Sequence, residues 1–168
     1  MVEMKVHGLF FDSETNQSVV VLKEEATGRT LPIWVGLFEA NAITMGIEHT
    51  WTPRPMTHDL LKNVIEGMNA VVREITVSDL RSNTFYAVIS LEVGGKMVKI
   101  DSRPSDAIAL ALRTQSPIFV DEKVLDSAGH AKPKDKDKDK DKDKKDSSDK
   151  WIDDLFDKLK PEDFKTEM

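Results

Sequence analysis

Short runs rich in β-branched and aromatic residues open the chain. Met4 to Phe11 and Val19 to Lys23 are separated by the polar turn Ser13 to Gln17, and a turn at Ala26 to Gly28 leads to Thr30 to Val35. Runs of this length bounded by turn residues predict three strands. From Leu37 to about Glu48 the apolar spacing becomes helical. Thr52-Pro53-Arg54-Pro55 cannot continue a helix, because proline lacks an amide hydrogen and restricts the residue before it. Thr57 is then placed to cap a second helix reaching about Met68. Asp59 falls in its first turn, where the helix dipole favours a carboxylate.

The pattern then recurs. Val71 to Leu80, Phe85 to Val93 and Lys96 to Asp101 read as strands, and Gly94-Gly95 suits a tight hairpin turn because both positions can take positive φ. A helix opened by Pro104 follows. Sliding the chain by 67 residues superposes the two parts without a gap: Asp12 meets Asp79, Gly28 meets Gly95, Ile33 meets Ile100, and Glu39-Ala40 meets Asp106-Ala107. A duplicated β3α unit accounts for this, with halves of about 3–69 and 70–128 inside a domain of 1–130. The expected class is α+β, since strands linked by hairpins come in sets, with buried helices against mixed or antiparallel sheets.

Ala107 to Leu112 is apolar around the whole helix, and Ala40 to Ile47 is nearly so. A helix without a polar face is expected to be buried on all sides. That predicts either a central helical layer covered by sheet on both sides or a helix completed by a dimer partner.

Beyond Gly129 the composition changes. Lys134 to Asp143 is a strict Lys-Asp alternation with no apolar residue, so 131–150 is expected to be a flexible linker. Its span from Lys132 to Lys150 has a reach of roughly 24 Å. Within 151–168, Trp151, Ile152, Leu155, Phe156 and Leu159 fall on one helical face before Pro161. A helix that short is marginal alone, so 151–159 is expected to dock on a protein partner.

Charge narrows the functional classes. Residues 1–130 carry 12 Lys and Arg against 17 Asp and Glu, which argues against a broad duplex-binding face. With no cysteine in the 168 residues, thiol catalysis and disulfides are excluded. The N-terminal residues lack the pattern of a secretory signal, and no apolar run is long enough to span a membrane, so a soluble cytoplasmic protein is expected.

Candidate chemistry collects where strands and loops give way to helices. Asp101, Ser102, Arg103, Ser105 and Asp106 form one cluster, Arg54, Thr57, His58 and Asp59 another, and Glu39 is the counterpart of Asp106 in the first half. Asp101, Asp106 and Glu39 could hold a hard divalent cation such as Mg²⁺ or Mn²⁺. Arg54 and Arg103 suit a phosphodiester, and His58 suits proton transfer. Each also has a purely structural role open to it. First-turn carboxylates complement the helix dipole, serines cap helices, and Arg103 can pair with Asp101 or Asp106.

These residues lie in strings that resemble the bifunctional nuclease (BFN) domain family: LPIWVGLFEANAI (Leu31 to Ile43), RPMTHDLL (Arg54 to Leu61), NTFYA (Asn83 to Ala87), IDSRPSDAIALA (Ile100 to Ala111) and PIFV (Pro117 to Val120). The resemblance implies an α+β fold of two related halves, a homodimer or higher homo-oligomer, and a nuclease acting on DNA and RNA without strong sequence preference. Carried over, the family's motif positions are Glu39, Arg54, Thr57, His58, Asp59, Asp101, Arg103, Ser105 and Asp106, and the chemistry of these residues leads us to expect catalysis on His58, Asp59, Asp101 and Asp106. Substrate binding falls to Arg54, Thr57, Arg103 and Ser105, and a divalent metal to Glu39, Asp101 and Asp106, with no organic cofactor. The competing expectation is a non-catalytic dimeric module that binds a small anionic ligand or a protein, which the acidic domain favours.

Overall fold

The computed structural model describes residues 1–13 and 16–128. The linker and C-terminal segment expected over 131–150 and 151–168 lie outside the described residues. Three strands, β1 (Val2–Asp12), β2 (Gln17–Lys23) and β3 (Thr30–Val35), precede α1 (Leu37–Ile47) and α2 (Thr57–Gly67). Then come β4 (Ala70–Arg81), β5 (Thr84–Val93), β6 (Lys96–Ser102), α3 (Pro104–Thr114), β7 (Ile118–Val120) and α4 (Glu122–Ala128). The mixed sheet and its helices make the α+β class expected from the strand and helix pattern.

The seven strands form one sheet in the order β3-β2-β1-β7-β4-β5-β6. Every pairing is antiparallel except β4 with β7, where Ile75 is opposite Ile118 and Val77 opposite Val120. The short β7 therefore joins the two three-stranded sets through the middle of the sheet. Two hairpins need left-handed backbone. Gly94 and Gly95 take φ of 55° and 76°, while Ser82 and Asn83 take 48° and 62° between β4 and β5. Those are the positive values a two-residue turn requires to match strand twist.

The core lies on one face of the sheet. Val20, Leu22, Ile33, Ile75, Val77 and Ala87 share one buried cluster with the residues of α3, the most deeply buried helix. Its small residues Ala107, Ala109 and Ala111, each nearly inaccessible, let it lie close to β4 and β5 while α1 and α2 pack against it. Burial on all sides thus holds for α3. For α1 it does not: only Ala40, Ile43 and Gly46 are buried, and Leu37 and Phe38 are 69% and 86% exposed. The expected cover of sheet on both sides is likewise replaced, since one sheet bears the helices and α1 and α2 supply the second cover of α3.

The cap of α2 differs from expectation by one residue. Met56 is the N-cap and Thr57 the first helical position. The Met56 backbone N–H donates to Asp59 Oδ2 at 3.0 Å, so the carboxylate three residues on reaches back to the N-cap amide, the reciprocal half of a capping box. No described helix is long and apolar enough to cross a membrane.

Candidate active site

Three helix N-termini converge on one polar cluster. Extended backbone at Gly36, Met56 and Arg103 leads into α1, α2 and α3, which places Glu39, His58 and Asp106 in the first turns of their helices. Pro104 starts α3 at a position where a missing amide hydrogen costs nothing. Glu39 and Asp106 stand where helix dipoles attract negative charge, and the first-turn position alone would explain either. Their convergence on a third residue it would not explain.

That residue is Arg103. Its Nε and Nη2 donate to the two oxygens of Asp106 at 2.7 and 3.2 Å, and Nη1 donates to Glu39 Oε1 at 3.0 Å. Two carboxylates 64 and 3 positions away along the chain are thereby held on one guanidinium. The fork geometry of arginine permits this and lysine would not. From the other side, His58 Nε2 lies 3.1 Å from Asp106 Oδ1. Burial pushes the Asp106 carboxyl up, but hydrogen bonds from Arg103 and His58 outweigh it and hold it below the usual aspartate value. As a carboxylate Asp106 can only accept, so Nε2 of His58 carries the hydrogen of this contact and Nδ1 is the other ring nitrogen.

The Arg103 side chain is 65% exposed, whereas that of His58 is 13% exposed. The exposed side of Arg103 leaves its guanidinium within reach of an incoming anion.

Asp59 has a different environment. Besides capping α2, it accepts a hydrogen bond from Arg113 Nε at 2.5 Å. Burial raises its carboxyl, and the Arg113 hydrogen bond and the Met56 N–H more than offset this, leaving it below the ordinary aspartate value. Arg113 in turn donates Nη1 to the carbonyls of Ala42 in α1 and Ala109 in α3 at 3.0 and 2.8 Å. The sequence pattern did not single out Arg113, because a basic residue in a last turn reads as an ordinary partner of the helix dipole. The available signal was Gly46, whose added Cβ would lie 3.0 Å from Arg113 Nη1.

The remaining expected site residues are spread around this cluster. Asp101 pairs in register with Val88 and Ser102 with the core residue Ala87, so Asp101 lies on the face away from the core. It makes no ion pair among the described residues. Arg54 and Thr57 are exposed beside the start of α2, and Ser105 is buried within α3. The set of Glu39, Asp101 and Asp106 is not gathered. No group of three or more His, Asp or Glu able to hold a metal ion occurs among the described residues. The two carboxylates that do converge already share the cation of Arg103, so this donor set does not fit the three-carboxylate site expected from sequence.

The fold and cluster define a class: a mixed α+β domain in which a carboxylate, an imidazole and an arginine meet at converging helix starts. A model of the bifunctional nuclease domain matches residues 20–133, and the chain belongs to that family. An uncharacterised protein of Mycobacterium tuberculosis is 35% identical over 165 residues, covering 98% of this chain and 99% of that protein. Bifunctional nuclease 2 of Arabidopsis thaliana is 33% identical, and Bifunctional nuclease 1 of Oryza sativa subsp. indica 26% identical, each over 116 residues. Both matches cover 67% of this chain and 35% of the plant protein, so the chain corresponds to about a third of their length.

Proposed function

We propose that the chain hydrolyses phosphodiester bonds of single-stranded DNA and RNA at the His58–Asp106–Arg103 cluster. The observation that carries this reading is one carboxylate, Asp106, bonded at once to a sheltered imidazole and to an exposed guanidinium. Asp106 orients His58 so that Nδ1 takes a proton from the attacking water. The water oxygen bonds to phosphorus, the P–O bond to the leaving oxygen breaks, and the proton held by His58 passes to that oxygen. Arg103 leaves Glu39 for the non-bridging oxygens and stabilises their growing negative charge. Arg54 and Thr57, exposed beside α2, extend the phosphate contact along the strand. With an acidic domain, binding depends on these few cations rather than on a basic face. No step is routed through a metal ion, and Mg²⁺ and Mn²⁺ are arms of the test.

The deciding experiment incubates the purified full-length chain with labelled single-stranded DNA and RNA in Mg²⁺, Mn²⁺ or chelator, alongside His58→Ala, Asp106→Ala and Asp101→Ala. The reading expects cleavage by the parent chain and by Asp101→Ala and its loss in the other two. Cleavage surviving in His58→Ala and Asp106→Ala would sink it.

A second reading, a non-catalytic homodimeric binding module, is favoured by the outer face of α2. Leu60, Val64 and Met68 are 53%, 49% and 68% exposed at successive helical turns, an apolar stripe with no described element over it. No cleavage under any condition, together with a dimer in sedimentation that Val64→Lys dissociates, would favour this reading over the first.

A further inference from the structure

Arg113 is the one cation whose side chain is nearly inaccessible among the described ion pairs, at 9% exposed. It ties three helices together: its own α3 at Ala109, α1 at Ala42 and α2 at Asp59. Room for it comes from Gly46. A Cβ at that position would lie 3.0 Å from both Arg113 Nη1 and Leu112 Cβ. A buried guanidinium needs its charge matched, which Asp59 does, and the three acceptors take its Nε hydrogen and both hydrogens of Nη1.

The partner it holds in α2 directly follows His58. Asp59 is fixed at both ends, one oxygen on Arg113 and the other on the Met56 N–H. The first turn of α2 therefore has its place set relative to α3 by the Asp59–Arg113 bond. At 3.1 Å the His58–Asp106 contact is already near the long end of a hydrogen bond. A shift of roughly half an ångström in that turn would break it.

We propose that Arg113 is a positioning residue for His58, acting through Asp59 to hold the imidazole against Asp106. The proposal rests on the reading of His58 and Asp106 as the working pair. It adds a second, buried arginine whose task is distinct from that of the exposed Arg103. Arg113 touches no reacting atom and sets only where the imidazole sits.

The test uses the full-length chain and reads the His58 ring signals by ¹H–¹³C NMR at one fixed pH. Arg113→Met is compared with Asp106→Asn and with Val124→Ala, a core truncation in α4, which packs on β4, expected to lower the melting temperature. The expected result is that Arg113→Met moves the His58 signals toward their position in Asp106→Asn, while Val124→Ala leaves them in place. Arg113→Lys, which keeps a cation within reach of Asp59, is expected to restore part of the parent position. Should Arg113→Met not fold, Asp59→Asn carries the same reading, with Arg113→Lys as the variant expected to stay nearer the parent. Where cleavage is measurable, kcat falls about 10- to 100-fold with KM held within about twofold. His58 signals unmoved in the folded variants would overturn the proposal whether or not the chain cleaves nucleic acid. Absence of cleavage with moved signals would instead overturn only the nuclease reading.

Discussion

His58 Nε2 and Asp106 Oδ1 are 3.1 Å apart although 48 residues separate them in the chain. The contact joins the first turn of α2 to the first turn of α3 and fixes which imidazole nitrogen carries the hydrogen. Asp106→Asn keeps the side-chain shape but presents an amide that can also donate, so the tautomer is no longer imposed. On the proposed mechanism kcat falls by on the order of 10²–10⁴, the usual worth of a positioned general base. Steady-state cleavage of a labelled oligonucleotide checks this, and a kcat within twofold of the parent would remove Asp106 from the mechanism.

Acid should destabilise the domain through the same carboxylates. Asp59 and Asp106 are both held below the ordinary aspartate value of 3.8 in the folded state. As pH falls, the unfolded chain takes up protons before these folded groups do. Their stabilisation is fully present above the unfolded value and is lost as pH drops through it toward the folded ones. Urea midpoints are therefore expected to be flat from pH 7 to about 5 and to fall from about pH 4 downward. Asp59→Asn removes one of the two groups and should make that fall shallower. An unchanged slope in this variant would show that Asp59 has no depressed pKa.

Much of this architecture is written in local chemistry. The strands β1 to β6 follow from β-branched runs and turn residues, and the deep burial of α3 follows from its lack of a polar face. Glu39, Arg103, Asp106 and His58 stand out as charged or titratable groups beside helix starts. Other features depend on tertiary contact. A three-residue strand such as β7 has no periodicity to detect, and its parallel pairing with β4 appears only once the sheet is assembled. Ser82 and Asn83 form a turn because the paired strands demand positive φ. The exposure of α1 was hidden for a related reason. The run Ala40–Ile47 looks apolar nearly all round in the sequence, yet only Ala40, Ile43 and Gly46 of it are buried.

Gly46→Ala sets two effects of opposite sign against each other. Alanine in a helix interior is favoured over glycine by about 1 kcal/mol. Against this, the new Cβ would lie 3.0 Å from Arg113 Nη1 and from Leu112 Cβ, closer than ordinary van der Waals contact. Overpacking of this kind costs about 1–3 kcal/mol, and Arg113 cannot swing aside without losing Asp59. Net destabilisation of about 1 kcal/mol is expected, read as a lower urea midpoint at unchanged slope. A rise in the midpoint would mean that α1 and α3 separate easily and that Arg113 is less tightly held than its contacts imply.

Two leucines test where the core ends. Leu110 lies at the middle of α3 with no exposed surface, enclosed by the sheet and its neighbouring helices. Replacing it with alanine removes buried methyl groups and leaves a cavity that rigid strands cannot close, at a cost of about 2–5 kcal/mol. Leu60 is 53% exposed on the outer face of α2, so Leu60→Ala should change the stability of the monomer by no more than about 0.5 kcal/mol. Urea unfolding at low and high protein concentration separates the cases. A concentration-dependent loss for Leu60→Ala would show that the α2 stripe is covered by a second copy, because a dimer's stability depends on protomer concentration and a monomer's does not.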